Sequence, residues 1–340
     1  MSDETLTEFG LIERLTRNLS TERDVIEGVG DDCAVLDLHN NDLLLATCDS
    51  QIEGVHFTLD TSSAEQIGQK ALAINLSDIA AMGGTPRYAL ISLVLPKHIQ
   101  AAWLERLYEG LHEEAKRSAT TIVGGNIAGA GTAEQLIIDI TLLGTVKRGH
   151  AITRSGAHVG DTLCVTGTLG DSAAGLFTLF NSSTPYPQEA CHYVRARCRT
   201  PQPRIHEGQI LGSFGPQIVT AMLDISDGLS GDAAHICERS HVGIIIEAAR
   251  LPISTFARKI ATSAGHNPLD WALHGGEDYE LLFTVAPGYE ESVINAVQQA
   301  TGTPVTPIGT ITTAETGITL VNLDGQKETL ISRSWDHLRM

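Results

Sequence analysis

The sequence predicts an α/β or α+β protein of two domains, and three observations support this prediction. Short apolar runs of strand length recur along the chain, and amphipathic helical patterns alternate with them. The chain has 340 residues, which is enough for about two domains with separate cores. A polar, glycine-punctuated stretch, KRGHAITRSGAHVGD (147–161), interrupts the pattern. We therefore expect one domain at 1–148 and a second at 149–340.

The individual elements are predicted from apolar runs and from helical periodicity. The predicted strands are DLLLATC (42–48), YALISLVLP (88–96), TTIVGG (120–125), LIIDITLLGTV (136–146), DTLCVTG (161–167), IVTAMLDIS (218–226), VGIIIEA (242–248), YELLFTV (279–285) and TPIGTIT (306–312). The predicted helices lie around 64–82, 101–118, 228–240 and 289–300.

Charge and composition argue against several classes of partner. Lys and Arg total 23 against 41 Asp and Glu, so the net charge is −18, which repels bare nucleic acid and anionic membranes. No apolar stretch approaches the roughly 18 residues of a membrane span, and the acidic start MSDETLTEFG does not resemble a signal peptide. Six cysteines without a CxxC pair predict reduced thiols in a cytoplasmic protein rather than a disulfide framework or a zinc site.

Acidic and amide residues follow apolar runs at four places. These are GVGDDCAVL (28–36), LLLATCDSQ (43–51), TIVGGNIAG (121–129) and MLDISDGLSGD (222–232). A strand delivers a side chain at its carboxyl end with little positional freedom, so we expect these groups to converge. The alternative is that GDD is an ordinary turn and that Ser226 or Asp227 caps a helix.

Asp78 is predicted to face the interior. In AEQIGQKALAINLSDIAAMGG (64–84), Ile67, Ala71, Ile74 and Ala81 form one helical stripe, and Asp78 falls in its middle. A buried, unpaired carboxylate costs several kcal/mol, so this side chain needs a partner. Pairing with an arginine of the core, or capping of a neighbouring helix, remains an alternative to a role in a site.

The oxygen ligands predicted at several strand ends suit Mg²⁺, because few lysines or arginines stand beside them. Such an ion would be held partly by carboxylates and partly by phosphate. The chain has no G-x-x-x-x-G-K-[ST] motif and no protein-kinase glycine loop. GGNIAGAG (124–131) and GTLGDSAAG (167–175) are glycine-rich turns that could approach phosphates closely. The sequence therefore predicts a site for magnesium and phosphate groups that does not use a P-loop.

Six segments, in the same order along the chain, resemble the thiamine-monophosphate kinase family. They are GVGDDCAV, KALAINLSDIAAMGGTPRYALISLVLP, HAITRSGA, VTGTLGDSAAG, LDISDGLSGD and GGEDYELLFT. The resemblance implies a two-domain fold like that of aminoimidazole ribonucleotide synthetase, in which the N-terminal domain forms a β-barrel across a homodimer and the C-terminal domain is mixed α/β. It further implies direct in-line transfer of the γ-phosphoryl group of ATP to thiamine monophosphate, assisted by several Mg²⁺ ions and without a general base.

The resemblance also implies roles for particular residues. The metal ligands would be Asp32, Thr47, Cys48, Asp49, Asp78, Asn126, Asp224 and Asp227. The ATP contacts would be Gly125, Asn126, Arg154 and Ser226, and the substrate contacts His56, Glu277 and Trp335. A structural role stays open for His56 and Glu277, and simple packing for Trp335.

Two positions depart from the family pattern. Asn126 stands where the family has an aspartate, so one metal would bind more weakly, and Cys48 stands where it has a hydroxyl residue. Cys48 would do no harm if this position binds metal through its backbone carbonyl. The alternatives to the kinase are a non-catalytic paralogue that binds nucleotide or thiamine phosphate, and another ATP-dependent enzyme of the same superfamily. The reactive N-terminal or C-terminal cysteine that two of those enzymes need is missing from the chain.

Overall fold

The computed structural model describes residues 8–17, 22–132, 134–182, 184–331 and 333. In this part of the chain, no helix has the length and apolar character that crossing a lipid bilayer requires. The described residues form two sheets with helices packed on them, which confirms the predicted α/β class. The first sheet ends at Lys147 and the second begins at Thr162.

The first half of the chain forms a mixed sheet with helices on one face. Within the described residues its strands are β1 (Val25–Glu27), β2 (Ala34–Leu36), β3 (Asp42–Ile52), β4 (Thr85–Leu95), β5 (Thr121–Gly129) and β6 (Ile137–Lys147). Its helices are α1 (Glu8–Thr16), α2 (Ala64–Ala81) and α3 (Ala101–Arg117). The strands lie in the order β1-β2-β3-β6-β4-β5; β4 and β5 run parallel, and the other neighbours are antiparallel.

Helix α2 is buried on most of its surface, and the stripe predicted from the sequence is part of that buried surface. The residues of its apolar stripe are all buried: Ile67, Ala71, Ile74 and Ala81. The helix begins at a capping box, because the Ser63 hydroxyl accepts from the Gln66 amide while the Gln66 side chain accepts from the Ser63 amide. Asp78 itself is half-buried and is directed at β3, where the Thr47 hydroxyl donates to it.

Apolar side chains of β4 and β5, the last two strands of the first sheet, are exposed in the described structure. Tyr88 and Leu90 of β4 are 51% and 41% exposed, and Val123 and Ile127 of β5 are 54% and 62% exposed. β5 is also the edge strand, so its outer side pairs with no other described strand. Exposed edges that carry apolar side chains are sites of association with another chain.

The backbone of β5 approaches β4 so closely at Gly125 that a methyl group does not fit. A Cβ there would lie 1.7 Å from the carbonyl oxygen of Ile91, and the φ of +153° favours glycine. We expect Gly125→Ala to lower the free energy of unfolding by about 1–3 kcal/mol, as overpacking does elsewhere. Gly124→Ala is the matched control, because its Cβ would meet Leu90 at an ordinary 3.5 Å. Urea unfolding measures both, and equal midpoints would contradict the prediction.

The second half of the chain forms a sheet with helices on both faces. Within the described residues its strands are β7 (Thr162–Thr166), β8 (Val219–Asp224), β9 (Val242–Glu247), β10 (Leu281–Val285), β11 (Val305–Thr313), β12 (Ile318–Val321) and β13 (Lys327–Thr329), in the order β13-β12-β9-β11-β7-β10-β8. Its helices are α4 (Asp171–Phe180), α5 (Gln188–Arg199), α6 (Ile205–Phe214), α7 (Leu229–Ser240), α8 (Thr255–Ala264), α9 (Pro268–His274) and α10 (Glu290–Thr301). Leu163 and Val165 of β7 face one apolar layer and Cys164 faces the other.

Each strand and helix predicted from the sequence is present, with ends shifted by a few residues. The patterns do not predict the helices α1, α4, α5, α6, α8 and α9 or the short strands β1, β2, β12 and β13. In α5 the buried residues are Ala190, Val194 and Cys198, four residues apart on an otherwise polar helix. A stripe this narrow and built of small residues gives too weak a periodic signal to be read from the sequence.

The expectation that the acidic segments stand at the carboxyl ends of strands is confirmed for Asp224 and is wrong for the other three segments. Thr47 and Asp49 lie inside β3, and Asn126 lies inside β5. Asp224 is the last residue of β8, and Asp32 precedes β2. Alternate side chains of β3 face α2, which supplies polar partners, so the strand continues through its polar residues.

The turn at 167–175 does not offer a free helix end to a phosphate. Asp278, in the loop after α9, accepts hydrogen bonds from the Gly170 amide at 2.6 Å and the Ser172 amide at 3.1 Å. These amides begin α4, so a carboxylate of the chain already occupies that N-terminus. The N-cap of α7 is Gly228, so neither Ser226 nor Asp227, the capping residues of the alternative interpretation, stands at the N-cap position.

Candidate functional site

Three aspartates from distant parts of the chain meet between the two sheets. Asp32 precedes β2, Asp78 lies on α2 and Asp224 ends β8. One carboxylate oxygen of each lies within 4.8 Å of the others, and we call this group the carboxylate cluster. The Thr47 hydroxyl donates to Asp78 Oδ2 and the Ser77 hydroxyl donates to Asp224 Oδ2, both at 2.5 Å. Four residues predicted as metal ligands are thus neighbours.

Crowding raises the pKa of these carboxyl groups. Burial, and then the charge of Asp32, raise the pKa of Asp224 to about 8. Burial, and then the charges of Asp49 and Asp224, raise the pKa of Asp78 well above its ordinary value. Asp49 lies beside the cluster on β3, where burial and then Asp32 raise its pKa to about 6. Near neutral pH the cluster therefore takes up protons unless a cation replaces them.

The donor atoms of the cluster fit a hard divalent cation. Within the described part of the chain, Asp32 Oδ2 is buried and accepts no hydrogen bond, although Oδ1 of the same residue accepts from Arg154 Nη2 at 2.6 Å. A buried carboxylate oxygen without a donor is costly, and a cation bound there would compensate it. Carboxylate and hydroxyl oxygens suit Mg²⁺ better than they suit zinc.

Arg154 is held against the cluster by two consecutive aspartates. Its guanidinium pairs with Asp32, and its backbone amide donates to Asp31 Oδ2 at 2.9 Å. Burial, and then Asp32, raise the pKa of Asp31 to about 7. The sequence predicts Arg154 but not Asp31, although both aspartates of the GDD segment face the same region.

A second group of ligand atoms lies on the turn before α7 and on its first two turns. Oxygens of Asp227 and Asp232 and a ring nitrogen of His235 lie within 4.8 Å of one another. Burial, and then Arg154, lower the pKa of His235 to about 4, so the ring is neutral at pH 7. The sequence analysis named Asp227 and missed the other two. Their spacing of three residues on a helix places Asp232 and His235 on one face, which is the signal that identifies them.

His56 and Glu277, predicted on the substrate side, share a partner in Lys70. The Lys70 ammonium lies 2.6 Å from Glu277 Oε1 and donates to the carbonyl oxygen of His56 at 3.2 Å. His56 Nδ1 accepts from the Ile52 amide at 3.1 Å, so a neutral ring carries its proton on Nε2. The amide of Glu277 donates to the carbonyl oxygen of Ser226 at 2.7 Å, which joins the predicted substrate and nucleotide residues.

Trp335 lies outside the described residues. Arg333 is described, and it lies near the end of α9, because its charge adds to burial in lowering the pKa of His274. His274 directly precedes the loop that carries Glu277.

The structure does not bring Gly125 and Asn126 to the carboxylate cluster. They lie on β5, and β4 and β6 separate that strand from β3 and Asp49. Three steps of about 4.8 Å between strands put these rows roughly 14 Å apart. Both residues are exposed on the uncovered edge of the first sheet.

Cys48 lies on the other face of β3 from Thr47 and Asp49. Its Sγ accepts from the Thr141 hydroxyl at 3.5 Å and lies 3.8 Å from Asp139 Oδ1. The ordinary pKa of a cysteine thiol already lies above neutral pH, and burial raises the pKa of Cys48 above that value. The thiol is therefore protonated near neutral pH. At this position the side chain faces away from the cluster, and the backbone carbonyl remains as the group that a cation could use.

Comparison with known proteins gives consistent matches over both halves. The family described as AIR synthase related protein, N-terminal domain, matches residues 30–146, and its C-terminal domain matches residues 158–321. Thiamine-monophosphate kinase of Bacillus subtilis is 34% identical over 335 residues, which is 98% of this chain and 100% of that protein. The Escherichia coli K12 enzyme of that name is 38% identical over 97% of this chain and 98% of its own.

Solved structures agree with these sequence matches. AaThiL complexed with AMPPCP and TMP superimposes with a TM-score of 0.85 at 34% identity, covering 99% of both chains. Thiamine monophosphate kinase from Aquifex aeolicus has a TM-score of 0.78 at 34% identity, covering 97% of this chain and 100% of that one. Escherichia coli HypE, at 22% identity and a TM-score of 0.70, shares the fold.

Proposed function

The chain belongs to the thiamine-monophosphate kinase family of AIR synthase related proteins, and from this premise we propose that it transfers the γ-phosphoryl group of ATP to thiamine monophosphate. The products are thiamine diphosphate and ADP. The observation that carries the proposal is the carboxylate cluster. Within the described part of the chain Asp32 Oδ2 has no hydrogen-bond partner, so it suits a cation, and that cation would in turn bind phosphate. The relative AaThiL was solved with AMPPCP and TMP, an ATP analogue and the acceptor.

Magnesium is the cation that this donor set favours. We propose that Asp32, Thr47, Asp49, Asp78 and Asp224 hold Mg²⁺ at the cluster and that Asp227 holds it before α7. Cys48 would contribute its backbone carbonyl. When bound, Mg²⁺ neutralises phosphate oxygens and screens the donor from the acceptor. The geometry supports Asn126 less directly, because β5 lies away from the cluster within one chain.

The chain's own residues have positioning and electrostatic roles in this proposal. The acceptor phosphate oxygen is already deprotonated near pH 7, so no general base is needed. It attacks the γ-phosphorus in line, and the bond to the bridging oxygen of ADP breaks. Arg154 supplies positive charge beside the carboxylates, and Ser226, with Gly125 and Asn126 of β5, is proposed to contact the nucleotide.

The thiamine end is proposed to bind between His56 and Glu277. A carboxylate suits a cationic ring system by charge, and an aromatic side chain suits it by stacking, which is the role proposed for Trp335. The contacts of Lys70 with both His56 and Glu277 support one common site. The path of the described chain as far as Arg333 supports the placement of Trp335.

We propose that the protein is a homodimer in which two copies close a barrel from their first sheets. The exposed Tyr88, Leu90, Val123 and Ile127, together with the open edge of β5, support this arrangement. A partner would cover Asn126 as well, because it lies on the same edge strand. Domains at 1–148 and 149–340 fit the gap between the two sheets.

We propose that the protein works in the cytoplasm, where ATP is available. All six cysteines are described, and none of them forms a disulfide. Thiols that stay reduced support such a compartment.

Binding of Mg²⁺ should stabilise the protein, and more so at high pH. The raised pKa values of Asp49 and Asp224, about 6 and about 8, mean that folding takes up protons. This stabilisation is present at low pH and is lost as the pH rises through those values. Without metal we therefore expect the Tm to fall between pH 5.5 and 8.5. At pH 8, Mg²⁺ at about a hundredfold excess over its Kd should raise the Tm by roughly 5 °C.

Differential scanning fluorimetry with Mg²⁺ or a chelator measures both effects. Asp224→Asn should lose most of the response to Mg²⁺, while Asp42→Asn, an exposed aspartate on β3, should keep it. A response that is the same in both variants would place the metal elsewhere.

Chromatography of a reaction with ATP, Mg²⁺ and thiamine monophosphate tests the proposed activity, with free thiamine as a parallel acceptor. Thiamine diphosphate formed from the monophosphate alone, with an equal amount of ADP, is the expected result. ADP without thiamine diphosphate would indicate another acceptor. Binding of both ligands without product would favour the non-catalytic paralogue and make Asn126 the first position to restore to aspartate.

A further inference from the structure

Lys70 is a buried lysine at the boundary between the two halves of the chain. It lies on α2, and its side chain is 6% exposed. A buried ammonium is costly unless it is paired, and here Glu277 lies 2.6 Å away. Burial lowers the pKa of Lys70, but the charge of Glu277, the neighbouring Cys198 and the hydrogen bond to Glu277 together outweigh burial, and the pKa is raised. Lys70 is therefore charged in the folded protein.

The two partners of Lys70 come from loops that are far apart in sequence. His56 lies in the loop after β3, and its carbonyl oxygen accepts from Lys70 Nζ. Glu277 lies in the loop after α9, more than two hundred positions later along the chain. One ammonium group thus sets the distance between the two side chains that the proposed function assigns to the thiamine end.

The backbone at Glu277 is strained and needs support. Its φ of +65° lies in the left-handed region, which costs a non-glycine residue about 1 kcal/mol or more. The amide of Glu277 is fixed by the carbonyl of Ser226, and the side chain is fixed by Lys70. The Glu277 side chain is 26% exposed, so the pair presents its carboxylate to solvent and keeps the ammonium behind it.

We infer that Lys70 is a positioning residue for the thiamine half of the substrate, an inference that rests on the proposed function. It binds Oε1 of Glu277, which leaves Oε2 to face the ligand, and it fixes the loop of His56 at the same time. Lys70 touches neither the nucleotide residues nor the carboxylate cluster in the described contacts. A residue that merely held the two halves together would affect both substrates alike.

Steady-state kinetics of Lys70→Met separate these two roles. We expect the KM for thiamine monophosphate to rise about tenfold or more, which corresponds to the loss of one charged hydrogen-bonded contact, with little change in the KM for ATP. Lys116→Met, an exposed lysine on α3, is the matched control and should behave as wild type. A rise in both KM values by the same factor would overturn the inference.

A double-mutant cycle tests whether Lys70 acts through Glu277. Glu277→Gln alone should also raise the KM for thiamine monophosphate, and adding Lys70→Met to it should change the KM little further. Effects that multiply in full would overturn the inference. If Lys70→Met does not fold, Lys70→Gln replaces it in the cycle.

The same cycle distinguishes failure of this inference from failure of the proposed function. If the wild type forms no thiamine diphosphate, the proposed function fails, and the Kd for thiamine monophosphate from calorimetry replaces the KM. Loss of that affinity in Lys70→Met, with the affinity for an ATP analogue retained, supports the inference. No binding of thiamine monophosphate by the wild type overturns it.

Discussion

Replacement of Asp78 by asparagine is expected to lower kcat by about a thousandfold while the protein stays folded. Asp78 is the member of the carboxylate cluster that α2 contributes, and Thr47 donates to it. Asparagine keeps the shape and one oxygen, but it removes a charge that a cation between carboxylates and phosphates requires. Without metal the same change relieves repulsion from Asp49 and Asp224, so the free energy of unfolding should stay equal or rise.

Single-turnover kinetics measures the loss of catalytic rate. Urea unfolding in the presence of a chelator measures the free energy of unfolding of the metal-free protein. Asp42→Asn makes the same chemical change at an exposed site and should alter neither quantity. An unaltered kcat would remove Asp78 from the site. A large loss of stability in the metal-free protein would show that the carboxylate has a structural partner instead.

Replacement of Glu280 by glutamine is expected to destabilise the protein by about 3–5 kcal/mol. Glu280 is fully buried at the end of the loop after α9, and it accepts from Arg197 at 2.7 Å and from Arg204 through two nitrogens at 2.6 Å. The Thr166 hydroxyl donates to it at 2.7 Å. Removing this negative charge would leave the buried Arg197 guanidinium without its carboxylate partner, and Arg204 with only the more distant Glu207 at 3.9 Å.

A matched ion pair at the surface provides the control for Glu280. Glu247 lies 2.8 Å from Arg250, and both side chains are well exposed. Glu247→Gln should change the free energy of unfolding by less than about 1 kcal/mol, because exposed pairs contribute little. Chemical denaturation with a common slope compares the two variants. Equal midpoints would mean that water reaches the arginines near Glu280.

The stripe on α2 predicts that Asp78 faces the interior, and in the structure this side chain is half-buried and accepts from Thr47. Most of the surface of α2 is buried, so the stripe does not single out one buried face. Asp49 could be predicted as a candidate, but its position inside β3 could not. The partner of its amide is Asn75 on α2, and that contact depends on how the helix packs on the sheet.

Roles within GGEDYE could not be assigned from the sequence. Its three acidic residues serve different purposes: Glu277 pairs with Lys70, Asp278 binds the first amides of α4, and Glu280 neutralises two arginines. None of these partners is close in sequence, so local patterns contain no information about them. The helices that supply the arginines are also among those whose periodic signal is weak.

Helix α2 imposes a constraint on chain length that substitutions do not reveal. From this one helix Lys70 reaches Glu277, Ser77 reaches Asp224 at the end of β8, and Asn75 and Asp78 both reach β3. One inserted residue would turn everything beyond it by about 100° and move it by about 1.5 Å along the axis. An insertion or deletion within α2 would therefore displace the residues of the proposed thiamine end from those of the carboxylate cluster. Exposed loops, such as the one after β12, tolerate changes in length better.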